Sequence, residues 1–326
     1  MSAEEPRSCS YVRTDGSQCT HPAEGEGELC YWHDPHISKE TPEVREKLEE
    51  LKAEGESLEG FVLRYADLEG IRLHSAEGVD LSHSVLFRAR LKGAKMWNVN
   101  LQGSDMMKAD LTGTNLNEAN LENASLLGAS LEGTKLERVI WGEQAIQEQM
   151  ARGAEEEGDH EKALVNFEEA EEVYRSLRRA YDSTGRFDQA GQFFQREMTM
   201  RRKMLPKWSS RRIWSKLVDL FCGYGEMPQR VIGFSLLLVF VCAAGYFGAG
   251  VNGPEGRIGF DPEIDAAANI KHFLNCVYYS IVTFTTLGYG DITPRGLARP
   301  IAAFEAFAGA FMMALFVAVF GKKMTR

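Results

Sequence analysis

From Leu81 to Leu136 a large apolar residue stands at every fifth position: Leu81, Leu86, Leu91, Met96, Leu101, Met106, Leu111, Leu116, Leu121, Leu126, Leu131 and Leu136, with Trp141 in phase. Leu58, Leu63, Leu68 and Leu73 form an earlier run of the same period, and an insertion near Glu77 and Gly78 shifts the frame between the two. Two residues before most of the large positions stands a small one, as at Ser84, Ala89, Ala94, Ala109, Thr114 and Ala119. A period of five fits neither the 3.6 of a helix nor the 2 of a strand. One large and one small inward position per five residues implies a solenoid, whose stacked coils share one continuous core.

Ala109-Asp110-Leu111 and Ala119-Asn120-Leu121 carry the A-(D/N)-L core of the pentapeptide-repeat family, and residues 58–141 resemble that family. The resemblance implies a right-handed β-solenoid with four repeats per square coil. Leu91, Leu111 and Leu131 then stack as one ladder, at about 4.8 Å per coil. Trp141 is too large for such an interior and is expected to cap the end. Exposed positions hold Arg88, Arg90, Lys92, Lys95 and Lys108, which argues against the acidic mimicry of DNA practised by some relatives. A rigid spacer or an interaction surface is expected instead, with His74 and His83 as surface residues.

The last third of the chain has a different composition. Residues 231–250 carry no charge, and at 1.5 Å per residue they reach about 30 Å, the thickness of a bilayer core. Residues 297–321 form a second apolar run, interrupted by Arg299 and Glu305. Between the runs lies Thr285-Thr286-Leu287-Gly288-Tyr289-Gly290-Asp291. A selective cation pore must replace the water around the ion with fixed oxygens, and the backbone carbonyls of T-x-G-Y-G loops do so when four chains converge. Gly288 and Gly290 admit backbone angles closed to other residues.

On this motif, residues 230–326 resemble the two-transmembrane potassium channels. The resemblance implies an all-α tetrameric pore domain with a K+ filter formed by Thr286, Leu287, Gly288, Tyr289 and Gly290. Thr285, Asp291, Tyr278, Tyr279 and Glu305 would support the filter, with the Tyr289 ring packed outward and Tyr279 hydrogen-bonded near Asp291. The pore helix is expected over residues 270–285. Gly309, 18 residues beyond Asp291, falls near the gating hinge of relatives, although simple packing explains a glycine there equally well. Two positions depart from the family: Leu287 replaces the commonest Val, and Val282 replaces a pore-helix Glu that pairs with the Asp after the filter. Glu305 is then expected to back the filter, to ring the cavity, or to make a structural hydrogen bond to the pore helix.

Charge orients the spans. Residues 1–60 hold 15 acidic and 6 basic side chains, residues 201–230 hold 2 and 8, and residues 251–275 hold 4 and 2. Lys322, Lys323 and Arg326 follow the second span. Basic flanks stay on the cytoplasmic side, so a cell-membrane protein with two spans and both termini cytoplasmic is expected. Residues 1–10 are polar and read as no signal peptide. Five residues follow Gly321 and no Arg-repeat span exists, so gating signals are expected to enter through the N-terminal regions.

Cys9, Cys19, Cys30 and His33 have the composition of a Cys3His structural zinc site, Cys30 and His33 being close enough for one turn to supply two ligands. Fewer than 40 residues bury little core, so Zn2+ would supply folding energy; free thiols in a disordered arm are the alternative. Cys222, Cys242 and Cys276 read as packing residues. The full organisation expected is multidomain: a zinc-like module at 1–36, an acidic linker with a short exposed helix at 37–57, the solenoid at 58–141, a helical tetratricopeptide-like hairpin at 142–205, a membrane-surface helix at 206–229, and the pore domain at 230–326. The hairpin is expected to break at Gly158-Asp159 and at Gly185-Arg186.

The reading is a homotetrameric potassium channel in the lipid bilayer, gated or scaffolded by its N-terminal domains, on which an unidentified cytoplasmic protein or ligand would act. A less selective cation channel and a membrane scaffold or receptor with a silent pore are the alternatives. No enzyme site is found, since no nucleophile–base pair, phosphate loop or open metal position occurs. The acidic surroundings of the cysteine module argue against nucleic acid.

Overall fold

The computed structural model describes residues 7–24 and 27–324; Arg326 of the basic tail and the polar stretch 1–6 lie outside them. The chain forms two compact units, residues 1–207 and 208–326.

In the first unit the five-residue period produces a β-solenoid. Four ladders of parallel bridges run along it, one through Val62, Val85, Asp105 and Ser125, another through Asp67, Arg90, Asp110 and Ser130. The strands β1 (Val79–Asp80) and β2 (Val99–Asn100) belong to the fourth. Val85 and Asp105 are 20 residues apart, so four repeats complete a coil; across the insertion the step from Val62 to Val85 is 23. The large residues from Leu81 to Leu116 have no exposed surface. The small hydroxyl positions close backbone valences inside the coil: Thr114 donates to the Leu91 carbonyl at 2.6 Å and Thr134 to that of Leu111 at 2.8 Å. The Asp or Asn of the triplet is turn chemistry: the Asp110 carboxylate accepts from the Thr112 N–H at 3.0 Å, and Asn120 from that of Glu122 at 3.1 Å. The corner residue is left-handed, which Gly93 and Gly113 adopt freely but Arg88 and Lys108 hold at φ 54° and 59°, at a cost of about 1–2 kcal/mol each.

Helix α1 (Glu43–Ala53) is not the exposed helix its charge suggests. Val44 and Leu48 are fully buried, because the i, i+4 pair shares one helix face and that face joins the core that contains the first coil.

After the solenoid come α2 (Ile146–Glu157), α3 (His160–Ser183) and α4 (Phe187–Met204). Gly158 ends α2 at φ 81°, Asp159 caps α3 by accepting from the Lys162 N–H at 3.0 Å, and Gly185 turns the chain into α4 at φ 73°. Trp141 sits at the solenoid end, where its indole donates to the Tyr181 hydroxyl at 2.9 Å and its ring meets Phe193 at 5.8 Å. Tyr181 donates in turn to the Leu136 carbonyl at 3.0 Å. Glu197 interrupts the apolar face of α4, yet is buried with Arg178 at 2.7 Å and Arg201 at 2.9 Å, the pairing a buried carboxylate requires.

The second unit opens with α5 (Ser210–Cys222), which Ser209 caps by accepting from the Arg212 N–H at 3.1 Å. Three successive left-handed residues, Gly223, Tyr224 and Gly225, turn the chain into α6 (Pro228–Ala249), with Pro228 at the helix start, where its missing N–H costs nothing. A hairpin of β3 (Val251–Gly253) and β4 (Gly256–Ile258) leads to α7 (Ala266–Phe284). Asp265 caps α7 by accepting from the Ala268 N–H at 2.9 Å, so the helix starts a turn earlier than expected. Strand β5 (Thr293–Pro294) pairs antiparallel with β3, and α8 (Ala298–Met324) follows. Helices α6 and α8 have 22 and 27 residues, about 33 and 40 Å at 1.5 Å per residue, and both are apolar enough to cross a bilayer.

Candidate functional site

The segment 285–291 joins the C-terminal end of α7 to β5. Thr285 Oγ1 donates to the Ile281 carbonyl at 2.7 Å, and the N–H groups of Thr286 and Leu287 donate to the carbonyls of Thr283 and Val282, both at 3.0 Å. The first residues of the loop are thus tied to the last turn of the helix. Thr286, Gly288 and Gly290 are left-handed, at φ 59°, 59° and 79°. The conformation of Gly288 and Gly290 explains glycine at both positions. Thr286 to Asp291 are all exposed in the single chain, and the Tyr289 ring retains 67% of its surface. One chain therefore leaves about two-thirds of Tyr289 uncovered.

Three elements position the loop. The Glu305 carboxylate of α8 is fully buried and accepts from Tyr246 of α6 at 2.5 Å and from the Ser280 hydroxyl of α7. Ser280 Oγ also lies 2.8 Å from the Val239 carbonyl. One carboxylate thus knots all three helices, behind the pore helix rather than in the loop. Gly309 lies one turn further along α8, where a side chain would collide with the backbone of Phe284, the last residue of α7: a Cβ would stand 2.9 Å from the carbonyl carbon. The two helices touch there because position 309 has no side chain.

The tyrosine pair divides differently from the expectation. Tyr278, not Tyr279, faces the Asp291 carboxylate, both lining one cavity beside β4. Tyr279 is buried against Tyr246, ring centroids 4.8 Å apart, because consecutive helical positions face different sides. Val282 is buried, and within the chain Tyr278 is the tyrosine nearest the Asp291 carboxylate.

At the basic ends of the two long helices, two ion pairs tie the start of α6 and the turn before it to their neighbours. Lys322 Nζ of α8 lies 2.6 Å from Glu226, and Arg230 lies 3.3 Å from Asp219 of α5. No sequence pattern marked the first pair, whose members are 96 residues apart. On α5, Trp208 just ahead of it, Ile213 and Trp214 are exposed beside Arg211 and Arg212.

In the first unit, the ligand atoms of Cys9, Cys19, Cys30 and His33 all lie within 4.8 Å of one another, and the four residues are buried. His33 Nδ1 stands 3.3 Å from Cys30 Sγ and 3.6 Å from Cys9 Sγ, and Cys19 Sγ stands 3.9 Å from Cys30 Sγ. Tetrahedral zinc with Zn–S near 2.3 Å and Zn–N near 2.0 Å needs edges of about 3.5–3.8 Å, so the set fits. His33 Nε2 lies 2.9 Å from the Glu59 carbonyl. That oxygen can only accept, so Nε2 carries the proton and Nδ1 presents a lone pair toward the sulfurs. The Cys30 N–H points at Cys9 Sγ at 3.3 Å. Burial pushes the Cys30 thiol up to about 12, raises that of Cys19, and lowers His33, favouring its neutral form. A cation at the centre reverses the preference of the thiols for their protonated form.

Comparison with known families agrees with this architecture. Residues 234–326 match the ion channel family model, and residues 104–140 match pentapeptide repeats in 8 copies. The chain joins a channel domain of the two-transmembrane potassium-channel type to a pentapeptide-repeat domain. Among solved structures it is similar to the pentapeptide repeat protein Rfr23 from the cyanobacterium Cyanothece, with 32% identity over 25% of this chain and 57% of that one, TM-score 0.19. It is also similar to a pentapeptide repeat protein from the Arabidopsis thaliana thylakoid lumen, 34% identical over 24% of this chain and 48% of that one, TM-score 0.13. A third is HetL from Nostoc sp., involved in heterocyst differentiation regulation, 28% identical over 24% and 38%, TM-score 0.14. This chain thus spans between 38% and 57% of those proteins. No curated protein matches the chain.

Proposed function

We propose that this protein is the subunit of a homotetrameric, potassium-selective channel in the cell membrane, with both termini cytoplasmic. The observation that carries the reading is the T-L-G-Y-G loop at the end of α7, left-handed at Gly288 and Gly290 and tied back to the helix at Thr286 and Leu287. The carbonyls of Thr286, Leu287, Gly288 and Tyr289, with the Thr286 hydroxyl, replace the hydration shell of K+ when four loops converge. A tetramer also covers what one chain leaves bare, including Tyr289 at 67% and Phe307 at 77% of their surface. The C-terminal end of α7 turns the negative end of its helix dipole toward the cavity, which favours a cation there.

Thr285, Asp291, Tyr278, Tyr279 and Glu305 act as supports of the filter. Gly309 serves the close approach of α8 to α7. Residues 206–229 lie on the membrane surface, where the aromatic and basic side chains of α5 suit the headgroup layer. They transmit signals from the solenoid, which we take as right-handed, and from the tetratricopeptide-like helices, whose partner is a cytoplasmic protein or ligand. Cys9, Cys19, Cys30 and His33 hold one structural Zn2+.

The test is flux from liposomes containing the purified chain, with Gly288→Asp as control. Potassium release that far exceeds sodium release and disappears in the control is expected. Equal release of both ions would establish the less selective channel. No flux, either from the full chain or after removal of residues 1–205, would leave a scaffold.

A further inference from the structure

The terminal coil of a solenoid has a face with no neighbour, and must be capped by something other than another repeat. At the N-terminal end the cysteine–histidine module covers that coil together with α1, whose Glu49 accepts from the Arg72 N–H at 2.9 Å. Leu58, Phe61 and Leu63 of the first coil have no exposed surface. Trp32 stacks on Phe61 with centroids 5.1 Å apart and planes 5° from parallel, and His33 meets the same ring edge-on at 5.2 Å. The backbone is closed as well. The Val62 N–H donates to the Trp32 carbonyl at 2.8 Å, the Thr14 N–H to the Glu59 carboxylate at 2.7 Å, and His33 Nε2 to the Glu59 carbonyl at 2.9 Å. The Tyr11 ring occupies the space a side chain at Gly60 would need.

Within the module, the described residues add two short antiparallel bridges, Ser8 with Pro22 and Val12 with Gln18, and the stack of Tyr11 on His33 at 3.9 Å. The module's interior consists of the would-be ligands Cys9, Cys19 and Cys30, which are at most 1% exposed, together with Trp32 and His33. His33 belongs to both parts, since its Nδ1 faces the sulfurs and its Nε2 is bonded to the first coil.

We infer that the metal centre is the lock of the solenoid's N-terminal cap: zinc bound by Cys9, Cys19, Cys30 and His33 keeps the first coil, residues 58–73, folded, and its loss opens the solenoid from that end only. This rests on the reading of the four side chains as a zinc site.

The experiment uses the full chain. Metal content is measured by atomic spectroscopy, and hydrogen exchange is then followed by mass spectrometry before and after chelation. One zinc per chain is expected, with exchange in residues 58–73 faster by about tenfold or more after chelation and residues 104–140 unchanged. Zinc present but exchange in 58–73 unaltered on its removal would overturn the lock while leaving the zinc site intact. Absence of stoichiometric zinc would overturn both. His33→Cys separates the two roles of that side chain, because four ligands remain but the bond to Glu59 is gone. It should retain zinc and still exchange faster over 58–73 than the parent. Retained zinc with parental exchange would show that the metal centre does not act on the coil through His33.

Discussion

Replacing Gly309 by Ala tests the geometry that sets the filter's height. The added Cβ would stand 2.9 Å from the carbonyl carbon of Phe284 and 3.0 Å from its Cα, and closer still to the carbonyl oxygen. Carbon atoms rest at about 3.5–4.0 Å, so α8 and the end of α7 must separate by roughly 0.5–1 Å. These are backbone atoms and cannot rotate away. Overpacking of this kind costs about 1–3 kcal/mol, and the better helix propensity of Ala returns about 1 kcal/mol. The net loss is then about 0–2 kcal/mol per subunit, repeated in every subunit. Phe284 directly precedes Thr285 and Thr286, so the displacement reaches the first filter positions. Gly248→Ala is the control, because nothing lies within 4 Å of a Cβ there. Thermal dissociation of the purified channel and the K+/Na+ permeability ratio are the assays. Gly309→Ala should lower both, while Gly248→Ala should lower neither. Identical behaviour of the two variants would refute the close-approach argument and return position 309 to the role of a free hinge.

Three further outcomes are expected. Tyr246→Phe leaves a carboxylate oxygen of Glu305 without its donor and should destabilise the pore unit by about 1–3 kcal/mol, read as a lower melting temperature; a parental value would mean that the knot carries no energy. Lys322→Glu places a second carboxylate against Glu226, 2.6 Å from the present ammonium nitrogen. It should change the open-to-closed ratio several-fold (about 1 kcal/mol) in single-channel recordings, and adding Glu226→Lys should restore it, whereas additive effects would exclude coupling through this pair. Thr114→Val removes the hydroxyl bond to the Leu91 carbonyl inside the solenoid, a carbonyl that keeps its bond from the Ala94 N–H at 3.0 Å, and should cost about 0.5–1.5 kcal/mol in denaturant unfolding, where no loss would show that the hydroxyl adds nothing to stability.

The solenoid was legible because its signal is local and redundant. Each repeat restates the large position, the small position and the turn residue, and Asp110 and Asn120, two repeats apart and in different ladders, do the same work. The glycines of the loop 285–291 were legible because a left-handed backbone dictates those letters, Gly288 and Gly290 standing at φ 59° and 79°. What escaped the sequence is long-range. Glu305 could be singled out as an intramembrane acid, but its partner Tyr246 is 59 residues away and no spacing announces it. Glu59 reads as one more acidic residue at the start of the solenoid, yet its carbonyl fixes the His33 tautomer. Helix α1 reads as exposed because its charged residues outnumber Val44 and Leu48, and the surface that buries those two is formed elsewhere in the chain. Tyr278 and Tyr279 differ by one position, and which of them meets Asp291 depends on the rotation of α7, set by its packing on α6 and α8.

The central claim is selective conduction of K+ through the loop 286–290. The most direct measurement is the single-channel reversal potential in a planar bilayer with K+ on one side and Na+ on the other. A monovalent-cation preference shifts that potential by about 59 mV per tenfold selectivity, so a shift beyond roughly 100 mV toward the K+ equilibrium potential is predicted. A reversal near zero, with open channels present, would contradict it.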